Sequence, residues 1–155
     1  MKKRIISIIL ALALMCCTNL SFAAGEDGFA SAKGAVLIEA ASGRVLFEKN
    51  SHEKLLNAST TKIMTAILTL EQEDLDEAFV VDPSAIKVEG SSMGLQEGDQ
   101  VTLRTLVWGM LLASGNDAAN AAAIYIDKSL DAFVERMNRK AKEIGMKDTH
   151  FSSPS

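Results

Sequence analysis

Cysteine is almost missing from this chain. The only two in 155 residues, Cys16 and Cys17, are neighbours inside an apolar leader. The body of the protein therefore has no disulfide framework and no thiolate metal site. Histidine is equally scarce, with His52 and His150 alone, so metal ligation has little to build on and no cofactor is expected. Long hydrophobic runs are absent too. The longest, Ile5 to Cys17, has 13 residues and is too short to span a bilayer comfortably. Basic excess is lacking: the formal charge is −4, which disfavours nucleic acid and anionic lipid as partners. No internal repeat or low-complexity tract occurs.

What is present begins with a leader. Lys2, Lys3 and Arg4 precede the apolar run, and Ser21-Phe22-Ala23 offers small residues for cleavage. This three-part pattern predicts a secretory signal peptide over residues 1–23. Neither cysteine follows Gly or Ala, so a lipid-attachment site is not indicated. Losing three basic residues and no acidic one takes the charge from −4 to −7. The remaining length, residues 24–155, suggests one domain at most.

Gly25 to Lys33 reads as a loose lead-in. Ala35 to Ala40 and Arg44 to Glu48 are β-rich runs joined by Ala41-Ser42-Gly43, a hairpin signal that needs cover from further strands or a helix. A helix is predicted from Asn57 to Glu71, with Asn57, Ser59, Thr60 and Thr61 as capping residues and apolar residues on nearly every side, which places it in the middle of a domain. A short strand is expected at Ala78 to Val81 and turns at Asp82-Pro83-Ser84, Glu89 to Ser92 and Glu97-Gly98-Asp99. Thr102 caps a second apolar helix, Leu103 to Ala113; Ser114-Gly115-Asn116 breaks it, and a third helix starts at Asp117. A fourth, Ser129 to Ile144, carries Leu130, Phe133, Met137 and Ala141 at helical spacing and is closed by Gly145. The chain then stops at Phe151 to Ser155 with no terminating element. Two or three strands followed by several helices read as α+β, the first part of a longer domain.

Three Ser-x-x-Lys matches occur: Ser51/Lys54, Ser59/Lys62 and Ser84/Lys87. Fourteen serines and eleven lysines give about one match by chance, so context must decide. Only Ser59/Lys62 opens an apolar helix, where a hydroxyl and an amine share the first turn at its positive end. The bland alternative is a capping serine followed by a surface lysine. Gly90-Ser91-Ser92-Met93-Gly94 fits the Gly-x-Ser-x-Gly nucleophile elbow, yet it lacks the strand before and the helix after that the elbow requires. Ser114-Gly115-Asn116 is the only Ser-x-Asn. Its place at a bend between two apolar helices either breaks and caps helices, or delivers a hydroxyl and an amide into the site containing Ser59.

Together these features resemble the penicillin-recognising serine enzymes, whose elements include Ser-x-x-Lys, Ser-x-Asn and a later Lys-Thr-Gly. The closer resemblance is to the low-molecular-mass, serine-type D-alanyl-D-alanine carboxypeptidases. It is carried by Ala-Ser-Thr-Thr-Lys-Ile-Met-Thr-Ala at 58–66, Gly-Ser-Ser-Met at 90–93, Ala-Ser-Gly-Asn-Asp-Ala-Ala at 113–119 and Met-Lys-Asp-Thr-His-Phe-x-x-Pro at 146–154. No Lys-Thr-Gly occurs; in the family that strand lies beyond the point where this chain ends.

The resemblance implies an α+β penicillin-binding/β-lactamase-like transpeptidase fold, an antiparallel sheet with a helical cluster, incomplete here. It also implies the chemistry. Ser59 attacks the carbonyl between the terminal D-alanines of a peptidoglycan stem peptide, and Lys62 takes its proton if burial leaves a neutral fraction. Ser114 relays a proton to the leaving amine, and Asn116 orients Lys62 and the substrate amide. The Ser59 N–H is one oxyanion donor; the second, and the carboxylate-binding group, belong to the absent strand. β-Lactams are the implied inhibitors, the cell envelope the implied location, and a later region the implied source of any membrane association. The rival readings are a secreted β-lactamase, for which no acidic residue holds a deacylating water, and an inactive exported binding fragment. The whole scheme requires Ser59 and Lys62 to meet the 114–116 bend in a shared, largely dry cleft.

Overall fold

A computed structural model describes residues 31–155. The leader at residues 1–23, its two cysteines and most of the lead-in lie outside the described residues. The described part falls into two units, one ending at Leu55 and one running from Leu56 to Ser155.

In the first unit, β1 (Ala35–Ile38) and β2 (Val45–Lys49) pair antiparallel. The register sets Ala35 opposite Lys49 and Leu37 opposite Phe47, with an irregularity between Leu37 and Ile38. The expected hairpin is there, with a shorter ladder than the β-rich runs suggested. Glu39 N–H donates to Arg44 O and Gly43 N–H to Glu39 O, both at 2.9 Å. Gly43 has φ +72°, a left-handed conformation that costs glycine little.

The second unit is helical. A 3₁₀ turn at Ala58–Thr60 leads into α1 (Thr61–Leu70), and a short ladder of β3 (Phe79–Val80) and β4 (Gln100–Val101) follows. Next come α2 (Leu103–Leu112), α3 (Asn116–Asp127) and α4 (Leu130–Glu143). β3 is the expected short strand; β4 was not foreseen, because two residues between a Gly-Asp turn and a helix cap are too few to show a period. Thr102 caps α2 as predicted, its hydroxyl accepting from Thr105 N–H at 3.1 Å. Ser129 caps α4 in the same way. Gly145, at φ +85°, ends α4 where Met146 N–H reaches back to Ala141 O at 2.8 Å.

α1 packs against α2, α3 and α4, but two expectations about it fail. Neither Asn57 nor Thr60 makes a side-chain cap bond. The 3₁₀ turn supplies the entry instead, and the Thr60 hydroxyl donates to Asn57 O at 2.6 Å. Nor is the helix buried all round. Ile63 is 55% exposed, and Ile67 and Leu70 are also open, whereas Thr61, Lys62, Thr65 and Thr69 are buried with Met64, Ala66 and Leu68. The buried hydroxyls are satisfied: Thr65 donates to Pro154 O at 2.6 Å and Thr69 to Thr65 O at 2.7 Å. An open groove of about 280 Å³ lies along the exposed side, lined by Ile63, Ile67, Ile144 and Met146 among others.

Two apolar clusters form the core. Leu103, Leu106, Met110 and four alanines of α3 (Ala118, Ala119, Ala121, Ala122) centre one; Met64, Leu68, Ala123, Phe133, Met137, Ala141 and Phe151 make the other. Each large side chain buried this completely contributes about 1.5–3 kcal/mol. Ala118, Ala119, Ala121, Ala122 and Ala123 are all buried, so the small-residue helix does pack closely. The segment after α4 is docked as well. Phe151 and Pro154 are buried, and Asn138 pairs with the Phe151 backbone in both directions at 2.9 Å.

Candidate functional site

Ser59 lies in the 3₁₀ turn, directly after Ala58, whose φ of +46° is left-handed. Ser114 sits between α2 and α3 with φ +54°. Such a backbone costs a residue with a Cβ about 1–2 kcal/mol. Gly109 O holds the bend by accepting from both Ala113 N–H and Gly115 N–H, at 3.2 and 3.1 Å. Across 55 residues of sequence, Ser114 Oγ then donates to Ser59 Oγ at 2.8 Å. Ser59 itself is exposed, so a substrate can reach its hydroxyl.

Lys62, one turn on, is 2% exposed. Burial penalises its ammonium and pulls its pKa below the ordinary lysine value. Among the described residues no carboxylate pairs with it. The surface-lysine alternative fails, because Lys62 is buried, whereas Ser59 is exposed.

Asn116 is the first residue of α3 rather than its cap; Gly115 occupies that position. Its Nδ2 donates to Glu89 O at 2.7 Å and its backbone N–H to Ser91 O at 2.8 Å. Gly115 is required by close approach, since a Cβ there would lie 2.8 Å from Asp117 Oδ1 and 3.0 Å from Met93 N. The structure therefore brings Ser59, Ser114 and the buried Lys62 to one end of α1, and ties Asn116 to the loop at 89–91. The Gly-Ser-Ser-Met-Gly decoy forms that loop, with neither strand before it nor helix after it.

The chain matches the profile of the D-alanyl-D-alanine carboxypeptidases, peptidase family S11, over residues 22–155. The chain belongs to this family. It is 38% identical to D-alanyl-D-alanine carboxypeptidase DacF of Bacillus subtilis, over all of this chain and 42% of that protein. Among solved structures, D-alanyl-D-alanine carboxypeptidase DacD from Francisella tularensis superposes with a TM-score of 0.76 at 38% identity. It covers 81% of this chain and 32% of that one. A D-alanyl-D-alanine carboxypeptidase from Mycobacterium tuberculosis gives 0.75 at 34% identity, covering 80% and 47%. The fold is thus that of the penicillin-binding DD-peptidases, and the chain spans less than half the length of each of these relatives.

Sequence reasoning missed one residue at this site. Asp117, 1% exposed, accepts hydrogen bonds from Ser92 Oγ and from the N–H groups of Met93, Gly94, Leu95 and Ala118. Burial pushes its pKa up, but these donors outweigh it and hold the carboxyl below its usual value. The available signal was an acid immediately after the Ser-Gly-Asn bend, between residues that are otherwise apolar. Among the described residues no group of His, Cys, Asp or Glu is arranged to hold a metal, and no helix is long and apolar enough to cross a membrane.

Proposed function

We propose that the protein is an exported serine-type D-alanyl-D-alanine carboxypeptidase, with residues 1–23 as its signal peptide and 24–155 as the first part of its catalytic domain. Its substrate is a peptidoglycan stem peptide ending in D-Ala-D-Ala, and β-lactams acylate the same serine. The observation that carries this reading is the 2.8 Å bond between Ser114 and Ser59 beside a buried Lys62.

A serine hydroxyl is a weak nucleophile until a base removes its proton. Neutral Lys62, favoured by burial, takes that proton as Ser59 Oγ bonds to the carbonyl carbon of the penultimate D-alanine. The Ser59 N–H, at the positive start of α1, stabilises the developing oxyanion. The peptide C–N bond then breaks. Ser114 passes a proton to the departing amine of D-alanine and regains one from protonated Lys62, while Asn116 orients the substrate amide. Water attacks the resulting ester and frees the shortened peptide and Ser59.

The test uses the full-length enzyme and a peptide ending in D-Ala-D-Ala. Release of D-alanine that disappears in Ser59→Ala supports the reading, and release that survives the substitution overturns it. A penicilloyl adduct that persists fits a carboxypeptidase; one lost within seconds would move the protein to the β-lactamases.

A further inference from the structure

Asp117 takes no part in the proposed chemistry, yet its surroundings are unusually complete for an exposed loop's anchor. Its Oδ2 accepts from Ser92 Oγ at 2.6 Å, Leu95 N–H at 2.9 Å and Gly94 N–H at 3.0 Å. Its Oδ1 accepts from Met93 N–H and Ala118 N–H, both at 2.9 Å. The gripped segment, Ser92 to Leu95, directly follows the two carbonyls that hold Asn116, those of Glu89 and Ser91. Gly90 between them has φ +82°, and a Cβ there would stand 3.3 Å from Asn116 Nδ2. Two adjacent residues of α3 thus fasten the same loop at two points: Asn116 receives its orientation from the loop, and Asp117 supplies the loop's position.

We infer that Asp117 is a positioning residue: by gripping residues 92–95 it holds the Glu89 carbonyl where it orients the Asn116 side chain and the Ser91 carbonyl where it accepts the Asn116 backbone N–H, and it acts on acylation through Asn116. The inference rests on the proposed role of Asn116. An ionised carboxylate is required because every partner is a donor. An amide of the same shape would turn its own N–H groups toward donors on one side and leave those donors without an acceptor.

A residue that merely stabilised the fold would slow the reaction in any background, so the test is a double-mutant cycle in the full-length enzyme. Penicillin acylation rate and melting temperature are measured for the parent, Asp117→Asn, Asn116→Ala and the double variant. Asp117→Asn should slow acylation of the parent by about tenfold or more, as displacements near 1 Å do at such sites. In the Asn116→Ala background the same change should cost less than about twofold, while the loss of melting temperature stays the same in both. Equal slowing in the two backgrounds overturns the inference, as does an Asn116→Ala or folded Asp117→Asn enzyme that acylates normally. If Asp117→Asn does not fold, Ser92→Ala removes one donor and should slow the parent by about threefold and Asn116→Ala not at all; equal slowing, or none in the parent, counts against it. Ser59→Ala separates the two claims. Labelling that survives it sinks the proposed function, whereas abolished labelling with an additive cycle sinks only the role of Asp117.

Discussion

Ser59/Lys62 and Ser84/Lys87 have the same spacing and opposite fates. Ser84 sits in a turn after Pro83, where its hydroxyl and N–H both donate to Asp82 Oδ1, at 2.6 and 2.8 Å, and Lys87 is exposed. Its serine is occupied with shaping the turn. Ser59 instead meets Ser114, from a distant part of the chain, and Lys62 is buried with its ammonium disfavoured. The motif carries no chemistry by itself. The difference comes from a packed helix that desolvates the amine and a bend that delivers a second hydroxyl.

Breaking the two motifs in the full-length enzyme should give unequal results. The largest effect is expected from Ser59→Ala, which removes the proposed nucleophile and should abolish penicillin labelling; Ser84→Ala should leave it intact. Lys62→Met should slow acylation by about 10³-fold, within the range for a lost general base. Because the change also removes a buried amine with no carboxylate partner among the described residues, it should raise the melting temperature. Lys87→Met should shift stability by less than about 0.5 kcal/mol. Ser114→Gly should cut acylation by about 10²-fold through loss of the proposed relay hydroxyl. It should also relieve about 1 kcal/mol of left-handed strain at φ +54°, so a slower and more stable enzyme is expected by kinetics and thermal melting.

A smaller effect concerns pH. Lys62 must be neutral to act as the proposed base, and its pKa is lowered from 10.5 by burial. Acylation should therefore fall as pH drops through that lowered value, below the ordinary lysine range. The same shift makes the unfolded chain bind the proton more tightly. Lys62's contribution to stability should accordingly rise with pH between its folded value and 10.5. A rate that fell only below the carboxylate range would exclude Lys62 as the base.

Much of this was legible in advance because it is local. The hairpin, the caps at Thr102 and Ser129 and the glycine stop at 145 follow from side chains acting within a few residues. The family resemblance placed Ser59, Lys62, Ser114 and Asn116 in one scheme, and the geometry brings Ser59 and Ser114 into contact. What stayed hidden depends on distant partners. Nothing local marks Thr65 as a buried residue; its hydroxyl finds its partner in the Pro154 carbonyl, 89 residues away. Ile63 and Ile67 read as core, yet the described residues leave them open. Asp117 read as an ordinary helix start because its donors lie 22 to 25 residues earlier. β4 exists only because it pairs with Phe79 and Val80.

The most direct test is to locate the adduct. Trypsin cuts after Lys54 and Lys62, so residues 55–62 form a peptide whose single serine is Ser59, and residues 63–87 form the next, which carries Ser84. After penicillin treatment of the full-length enzyme, mass spectrometry should find the penicilloyl group on peptide 55–62. A penicilloyl group on peptide 63–87, or on the peptide carrying Ser91 and Ser92, would contradict the account.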